Sequence, residues 1–434
     1  MHLLALTPPP EGLTGQTWTV PGSKSETNRA LILGAQLPQA TVLNPSPAED
    51  SRMLVNALSQ MGVNLKPTVR SIGVTPGQPT ISTPVIHVGE GGTTFRFLAA
   101  LAALSPGRIK LDAAPRLRER SHDGLFRVMH QLGAISPVES AESVGWPLPI
   151  KGKPLKEPAV LQFGPLSSSQ FISAFALTGP LLPIGTRLSW EGNVPSAPFT
   201  NMTLAMLQSA GISWDQAPNG WTLADKQEPQ NWTHTVTGDW SGASYAIAHA
   251  WASKAALSLQ GLTEDGLQGD QLQLKLWEKL GVRFSWSEAN LLEVNASEAI
   301  TRGGWIFDFQ DMPDLAPTFA VVAALCQQPS LLVGLRTLPG KESDRIAAMA
   351  TELQKLGAQT EASTESLRVF PPEHLQQPAA LATYDDHRLA MAFSMLCHAL
   401  PGLTIEEPIV VKKSYPTFWR HLKQLGFGQD FFQN

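Results

Sequence analysis

Cysteine is nearly missing from this chain, with only Cys326 and Cys397 among 434 residues. Each lies in an apolar stretch of helical character, Val-Val-Ala-Ala-Leu-Cys and Phe-Ser-Met-Leu-Cys-His, so both are expected to pack as small, unreactive hydrophobes. No pairing of Cys with His has the spacing of a metal site. Positive charge is also scarce: 32 Lys and Arg against 37 Asp and Glu leave a net charge of -5. That excludes a global basic field for nucleic acid, so any polyanionic ligand has to be captured by local clusters. Long apolar runs are lacking too. The opening Met-His-Leu-Leu-Ala-Leu-Thr-Pro-Pro-Pro carries no basic leader and no run long enough to span a bilayer, and a cytoplasmic location is expected. No Gly/Ser linker or charge run marks a domain border.

What is present in quantity is apolar residue, 43% of the chain, in a length that suits two or three domains. One phrase recurs along it: an amphipathic helix ending in Leu-Gly or a close variant, then a short apolar or alternating segment. The instances run from Met53 to Gly62, Leu125 to Gly133, Met202 to Gly211, Leu272 to Gly281, Ala347 to Gly357 and Phe418 to Gly426. Their glycines are spaced by 71, 78, 70, 76 and 69 residues. Gly after the last apolar turn suits a left-handed helix cap, and the segments that follow, such as Ile212-Ser-Trp, read as strands. A period of this size exceeds that of a solenoid repeat, roughly 20–50 residues, and predicts six small α/β modules.

A second theme is the anion-ready helix start. Pro21-Gly-Ser-Lys-Ser-Glu-Thr-Asn-Arg29 is a stiff, small-residue turn opening a helix. Unpaired backbone N–H groups and the aligned peptide dipoles favour an anion there, and Ser23, Ser25, Lys24 and Arg29 add hydroxyls and full charges. Similar starts are read at Val88-Gly-Glu-Gly-Gly-Thr-Thr-Phe-Arg96, Ser167-Ser-Ser-Gln170, Gly340-Lys-Glu-Ser-Asp-Arg345, Tyr384-Asp-Asp-His-Arg388 and Lys412-Lys-Ser-Tyr-Pro416, with three arginines in Arg116-Leu-Arg-Glu-Arg120. A helix start normally favours carboxylates, so Lys341 and Arg345 suggest an external anion. Each cluster alone also suits an ordinary capped helix or a solvated loop. Their recurrence in both halves implies a ligand gripped between two lobes, with Arg suited to bidentate carboxylate and phosphate contacts.

In these motifs the chain resembles the enolpyruvyl transferase family. Pro21-Gly-Ser-Lys-Ser with Asn28-Arg29, Gly89-x-x-Gly-Thr93 with Arg96, Arg116-x-Arg-Glu-Arg120, Ser168-Ser-Gln170, Ser244-Tyr245, Pro313-Asp314, Lys341-Glu-Ser-Asp-Arg345 and Asp386-His-Arg388 follow the family's order over nearly the whole chain. The resemblance implies an α/β fold, a two-lobed inverse α/β barrel of six repeated units, three per lobe, with the active site in the interlobe cleft. It implies a discontinuous lobe of residues 1–20 plus 238–434 and a second lobe of residues 21–237. The implied reaction transfers the enolpyruvyl group of phosphoenolpyruvate to the 5-hydroxyl of shikimate 3-phosphate, on the route to chorismate and the aromatic amino acids. No cofactor or metal is implied, and the implied state is a monomer with small-molecule substrates, apart from nucleic acid and membrane.

Carried over by position, the resemblance implies phosphoenolpyruvate contacts from Lys24, Gly92, Arg120, Arg345, Arg388 and Lys413. Shikimate-phosphate contacts fall to Lys24, Ser25, Arg29, Ser168, Ser169, Gln170, Ser196, Asp314, Thr337 and Lys341. Asp314 becomes the base for the 5-hydroxyl, and Glu342, with Lys24, the proton-transfer partner at the methylene carbon; a salt bridge at a helix start is the plain alternative for Glu342. Four positions depart from the family pattern. Glu90 stands where Asn is usual, Ser121-His122-Asp123 where Pro-Ile is common, Phe199 where Tyr is, and Thr337 where Asn is. Glu90 is expected to weaken anion binding unless Arg96 or Arg120 pairs with it, and the loop after Arg120 to be less rigid. The altered acceptor side leaves a different cyclic hydroxy acid, or a non-catalytic relative, as alternatives.

Overall fold

The computed structural model describes residues 2–77, 85–136, 145–226, 231–288 and 290–433. The chain forms two compact units, Gly22–Val236 and the pair of segments Met1–Pro21 and Thr237–Asn434.

The six recurring glycines each follow a helix, and each has a left-handed backbone: φ is 95° at Gly62, 67° at Gly133, 79° at Gly211, 80° at Gly281, 90° at Gly357 and 88° at Gly426. The helices they terminate are Glu49–Gln60, Asp123–Gln131, Pro198–Ser209, Gln273–Lys279, Arg345–Lys355 and Phe418–Gln424. Only glycine takes this conformation without a Cβ penalty, which is why the sequence period is visible at all.

Among the described residues the strands fall into six sheets. The third sheet of the Gly22–Val236 unit shows the pattern: Val160–Pro165 runs parallel to Arg187–Glu191, with the helix Gln170–Ala176 crossing between them. The hairpin of Ile212–Ala217 and Gly220–Lys226 then pairs antiparallel with Arg187–Glu191. The same arrangement is built from Ile306–Asp308, Ser330–Val333, Gln359–Ala362 and Leu367–Phe370, with the crossover helix Ala316–Ala324.

Six crossover helices, Lys24–Gly34, Gly92–Leu104, Gln170–Ala176, Trp240–Ser253, Ala316–Ala324 and His387–Ser394, are mostly buried along their length. Apolar residues all round such a helix, as in Phe95-Arg-Phe-Leu-Ala-Ala-Leu101, leave no face for solvent. Within the first unit Gly92–Leu104 packs against both Lys24–Gly34 and Gln170–Ala176; within the second, Ala316–Ala324 packs against both other crossover helices. Helices inside and sheets outside put six helix starts, with their polar residues, at the ends of packed cores.

Within each unit a strand far away in sequence completes a sheet. Strand Thr17–Thr19 pairs parallel with Ala256–Gln260, and Trp232–Thr235 pairs parallel with Ala40–Leu43. The N-terminal strand His2–Thr7 sits between Leu403–Glu406 and the C-terminal strand Gly428–Gln433, so both chain ends complete one sheet.

Both cysteines are buried. Burial pushes each thiol up to about 12. Folding brings Cys397 near His249 and His398, their ligand atoms all within 4.8 Å, a proximity that sequence spacing does not reveal. His249 Nδ1 lies 3.0 Å from His398 Nε2, and its Nε2 lies 3.0 Å from Ser394 Oγ, so hydrogen bonds already satisfy His249. No helix among the described residues is long and apolar enough to cross a membrane.

Two buried imidazoles and one partly buried give a pH-dependent stability. Burial holds His249 and His122 well below the ordinary histidine value and His398 at about 4. These groups bind protons more readily in the unfolded chain, so their contribution is complete above about pH 6.5 and is lost as pH falls toward 4, by up to about 1.4 kcal/mol per unit for each. Urea unfolding between pH 6.5 and 4.5 is expected to show a steep loss, and His398→Asn a shallower one. Equal slopes for both proteins would contradict this.

Candidate active site

In the Gly22–Val236 unit, helix Lys24–Gly34 begins with Ser23 as its cap, whose Oγ accepts from the Glu26 N–H at 3.4 Å. Lys24 Nζ lies 2.9 Å from Asp50 Oδ2, a partner at the start of the helix Glu49–Gln60. Asn28 donates to Thr93 Oγ1 at 3.0 Å and accepts from Ser51 Oγ at 2.8 Å, joining this helix start to that of Gly92–Leu104.

Arg29 is fully buried. It donates to Thr203 Oγ1 at 2.8 Å and to the carbonyls of Ser25 and Phe199, each at 3.0 Å. Burial lowers its guanidinium to about 10, partly offset by Glu26, and the rings of Phe97 and Phe199 flank it. Arg29 therefore fixes the backbone that carries Ser25 and Phe199.

The structure brings Gly92, Arg120 and Gln170 together. A Cβ added at Gly92 would sit 3.3 Å from both Arg120 Nη1 and Gln170 Oε1, so only glycine leaves this approach open. Gln170 Oε1 accepts from Arg96 Nη1 at 2.6 Å. Ser168 Oγ accepts from the Gln170 N–H at 3.3 Å, Ser169 is buried, and Ser196 is buried with φ at 53°.

The loop after Arg120 has no proline but is tied down. Arg96 Nη2 donates to the Ser121 carbonyl at 3.0 Å, and Ser121 Oγ reaches Asp123 and Ser167. His122 is buried among Phe95, Phe126 and Trp146, its Nε2 2.9 Å from the Leu117 carbonyl. With that nitrogen donating, Nδ1 is free to accept from Arg96 Nε at 3.4 Å. An aromatic cage thus does what a proline ring would otherwise do. Glu90 is exposed.

In the other unit, Asp314 stands at the start of the segment Pro313–Leu315, just before the helix Ala316–Ala324. Its Oδ1 lies 2.8 Å from Arg345 Nη1 and 3.3 Å from Lys341 Nζ, and its Oδ2 lies 2.8 Å from Arg388 Nη2. Arg345, only 1% exposed, also meets Asp386 through Nε at 2.7 Å and Glu342 through Nη2 at 3.1 Å. Lys413 Nζ reaches the other oxygen of Glu342 at 3.2 Å. Arg388 donates from Nη1 to Tyr245 Oη at 3.4 Å. Thr337 Oγ1 is buried without a hydrogen bond.

Electrostatics decides the charge state of this cluster. Burial alone would raise Asp314, but Arg388, Lys341 and Arg345 outweigh it and hold the carboxyl well below its ordinary value. Burial works against charge on Arg345 and Arg388, yet Asp386, Glu342 and Asp314 keep the first, and Asp314 the second, firmly protonated. Four cations, Lys341, Arg345, Arg388 and Lys413, surround three carboxylates, a surplus of positive charge beside a 17%-exposed Asp314.

As read from the sequence, the segment Gly340–Arg345 opens a helix. That helix begins at Arg345, capped by Asp344, whose side chain accepts from the Ile346 and Ala347 N–H groups. Internal carboxylates meet the cations ahead of it, which is how charges unfavourable at a helix start are tolerated. Asp386, legible only as part of a helix start, caps the helix His387–Ser394: its carboxylate accepts from the Arg388 N–H at 3.0 Å while also pairing with Arg345. Asp50 carried no sequence signal as the partner of Lys24.

Comparison with known proteins fits this arrangement. The model of the family EPSP synthase (3-phosphoshikimate 1-carboxyvinyltransferase) matches residues 8–422. A 3-phosphoshikimate 1-carboxyvinyltransferase of Bacteroides fragilis (strain YCH46) is 34% identical over 417 residues, 95% of each chain. That of Syntrophobacter fumaroxidans is 34% identical over 423 residues, 96% of this chain and 98% of its own. Among solved structures, EPSP synthase from Acinetobacter baumannii superposes with a TM-score of 0.77 at 19% identity over the whole of both chains. The enolpyruvyl transferase NikO from Streptomyces tendae gives 0.75 at 16% identity, over 100% of this chain and 99% of its own. These likenesses identify the fold as the two-lobed inverse α/β barrel, and the family match and the sequence relatives together show that this chain belongs to the EPSP synthase family.

Proposed function

We propose that the two clusters serve one reaction, with Asp314, Glu342 and Lys24 moving its protons. The family's reaction, an enolpyruvyl transfer in the shikimate pathway, joins the 5-hydroxyl oxygen of shikimate 3-phosphate to C2 of phosphoenolpyruvate and releases inorganic phosphate. In the addition step a proton reaches the methylene carbon, the C2–O bond forms and the hydroxyl proton leaves. Elimination then takes a proton from the new methyl group, restores the double bond and expels phosphate from C2. Bound charge changes little in total but moves, so preorganised cations suit it.

The observation that carries this reading is the set of buried cations around Asp314 and Glu342. Arg345, Arg388 and Lys413, with Lys24 and Arg120 beside Gly92, are assigned to the carboxylate and phosphate of phosphoenolpyruvate. Ser25, Arg29, Ser168, Ser169, Gln170, Ser196, Thr337 and Lys341 are assigned to the acceptor, Arg29 through the backbone it holds. Asp314 is a poor base while three cations surround it. When the anionic substrate draws on those cations, its proton affinity rises toward that of a base for the 5-hydroxyl. Glu342, shared between Arg345 and Lys413, is assigned with Lys24 to the methylene carbon.

This reading keeps the lobes as residues 1–20 plus 238–434 and 21–237, and the protein as a cytoplasmic monomer. The test is phosphate release with phosphoenolpyruvate and shikimate 3-phosphate, with the product identified by mass and Lys24→Met as control. Turnover that depends on Lys24 is expected; phosphoenolpyruvate binding without turnover would direct the search to another acceptor.

Gly92→Ala is expected to raise the KM for phosphoenolpyruvate by about tenfold or more with a smaller change in kcat. The added methyl forces the Arg120 guanidinium or the Gln170 amide aside, and a lost charge-assisted contact is worth about 1.5–3 kcal/mol. Unchanged KM in steady-state kinetics would remove Gly92 and Arg120 from the donor site.

A further inference from the structure

Asp270 is a buried carboxyl that the roles above leave unused. It is 3% exposed, in the turn Gly269–Leu272. That turn is clamped to the start of the helix Trp240–Ser253: Gln268 Oε1 accepts from the Trp240 N–H at 2.9 Å, and Gln273 Nε2 donates to the Trp240 carbonyl at 2.6 Å. Ser241 Oγ donates to Asp270 Oδ2, while Oδ1, fully enclosed, has no hydrogen-bond partner. One donor is too few for a buried carboxylate, whose two oxygens accept about four hydrogen bonds in water.

The same helix face leads to the active site. Ser241 and Tyr245 are four residues apart and so share a face, and Tyr245 Oη accepts from Arg388. Asp270 feels the charges of Asp314, Arg388 and the helix cap Asp239, and Tyr245 feels those of Arg388, Arg345 and Asp314. Burial first, then Asp314 and Asp239, raise Asp270 to about 7, with Ser241 and Arg388 pulling the other way. Arg388 already shares its charge with Asp314. A second anion acting on it would divert that charge and repel an incoming substrate.

We propose that Asp270 is a positioning residue for Arg388: the form of the enzyme that binds phosphoenolpyruvate carries the Asp270 carboxyl neutral, and where that carboxyl is ionised it takes a proton from solvent as the substrate anion draws on Arg388. The inference rests on the reading that Arg388 holds phosphoenolpyruvate. No bond other than the carboxyl O–H forms. Withdrawal of Arg388's field weakens an influence that favours the Asp270 carboxylate, so substrate binding and protonation assist each other.

The pH profile of kcat/KM for phosphoenolpyruvate tests it. In the wild type it is expected to fall about tenfold between pH 7 and 8.5 as Asp270 ionises in the free enzyme. Asp270→Asn, permanently neutral, is expected to lose that limb, while ionisation of the substrate itself affects both proteins alike. Ser241→Ala, which removes the one donor to the carboxylate, is expected to move the limb to higher pH. A limb that persists in Asp270→Asn, or that stays in place in Ser241→Ala, overturns the proposal, and the second variant decides if the first does not fold. Absence of wild-type turnover contradicts the functional reading instead. Calorimetry of phosphoenolpyruvate binding at pH 7.5 in buffers of different ionisation enthalpy then decides: greater proton uptake by the wild type than by Asp270→Asn supports the proposal, and equal uptake overturns it.

Discussion

Replacing Arg345 by methionine is expected to destabilise the protein by about 3–5 kcal/mol, the usual consequence of removing one partner from a buried charge network. Arg345 is almost fully enclosed and donates to Asp314, Glu342 and Asp386 at once. Methionine preserves much of the volume but leaves Asp314, Glu342 and Asp386 without the guanidinium they share, while Lys341 and Arg388 pair with Asp314 and Lys413 with Glu342. A large fall in the urea midpoint is the expected result. Under conditions where the variant remains folded, kcat/KM for phosphoenolpyruvate is expected to fall by a further ~10²–10³-fold, the scale of a lost preorganised donor. Wild-type stability in the variant would mean that the network is not coupled as its geometry indicates.

Glu342→Gln is expected to lower kcat by ~10²–10⁴-fold, the range for loss of a positioned proton-transfer group. The amide keeps the shape and one acceptor, so the KM for phosphoenolpyruvate is expected to stay within about threefold of the wild type. Loss confined to kcat marks an interaction needed in the transition state. Comparable losses in kcat and KM would instead mark Glu342 as the salt bridge that positions Arg345 and Lys413.

Much of the fold was legible because its repeats are punctuated by a residue with a unique backbone. Gly62, Gly133, Gly211, Gly281, Gly357 and Gly426 all adopt positive φ after an amphipathic helix, and the sequence period follows from that requirement. The sequence of the buried helices is itself apolar, as from Phe97 to Leu104 and around Phe171. Closure of one sheet by the N-terminal strand His2–Thr7 was not, because strand pairing between the ends of a chain leaves no local pattern.

The candidate site was legible as cations and hydroxyls at helix starts, but not as charge pairs. Lys24 and Asp50 are separated by 26 residues, Arg345 and Asp386 by 41, and Arg388 and Asp314 by 74. Such distances have no periodicity to betray them. Lys341 and Arg345 read as cations awaiting an external anion; in the fold they already bind internal carboxylates, which a substrate has to share. Ser121-His122-Asp123 in place of Pro-Ile read as a loosening of the loop after Arg120, because its local neighbours gave no hint of the packing of His122 against Phe95, Phe126 and Trp146.

The most direct test of the account is to run the reaction with shikimate 3-phosphate and phosphoenolpyruvate in deuterated water and to follow deuterium in the product's methylene group by mass and NMR. Addition of a solvent-exchanged proton creates a methyl group, and elimination removes one of its three hydrogens, so deuterium is expected in the product at a rate that Glu342→Gln sharply reduces. A product free of deuterium, or incorporation as fast in Glu342→Gln as in the wild type, would contradict the proton transfers assigned to this site.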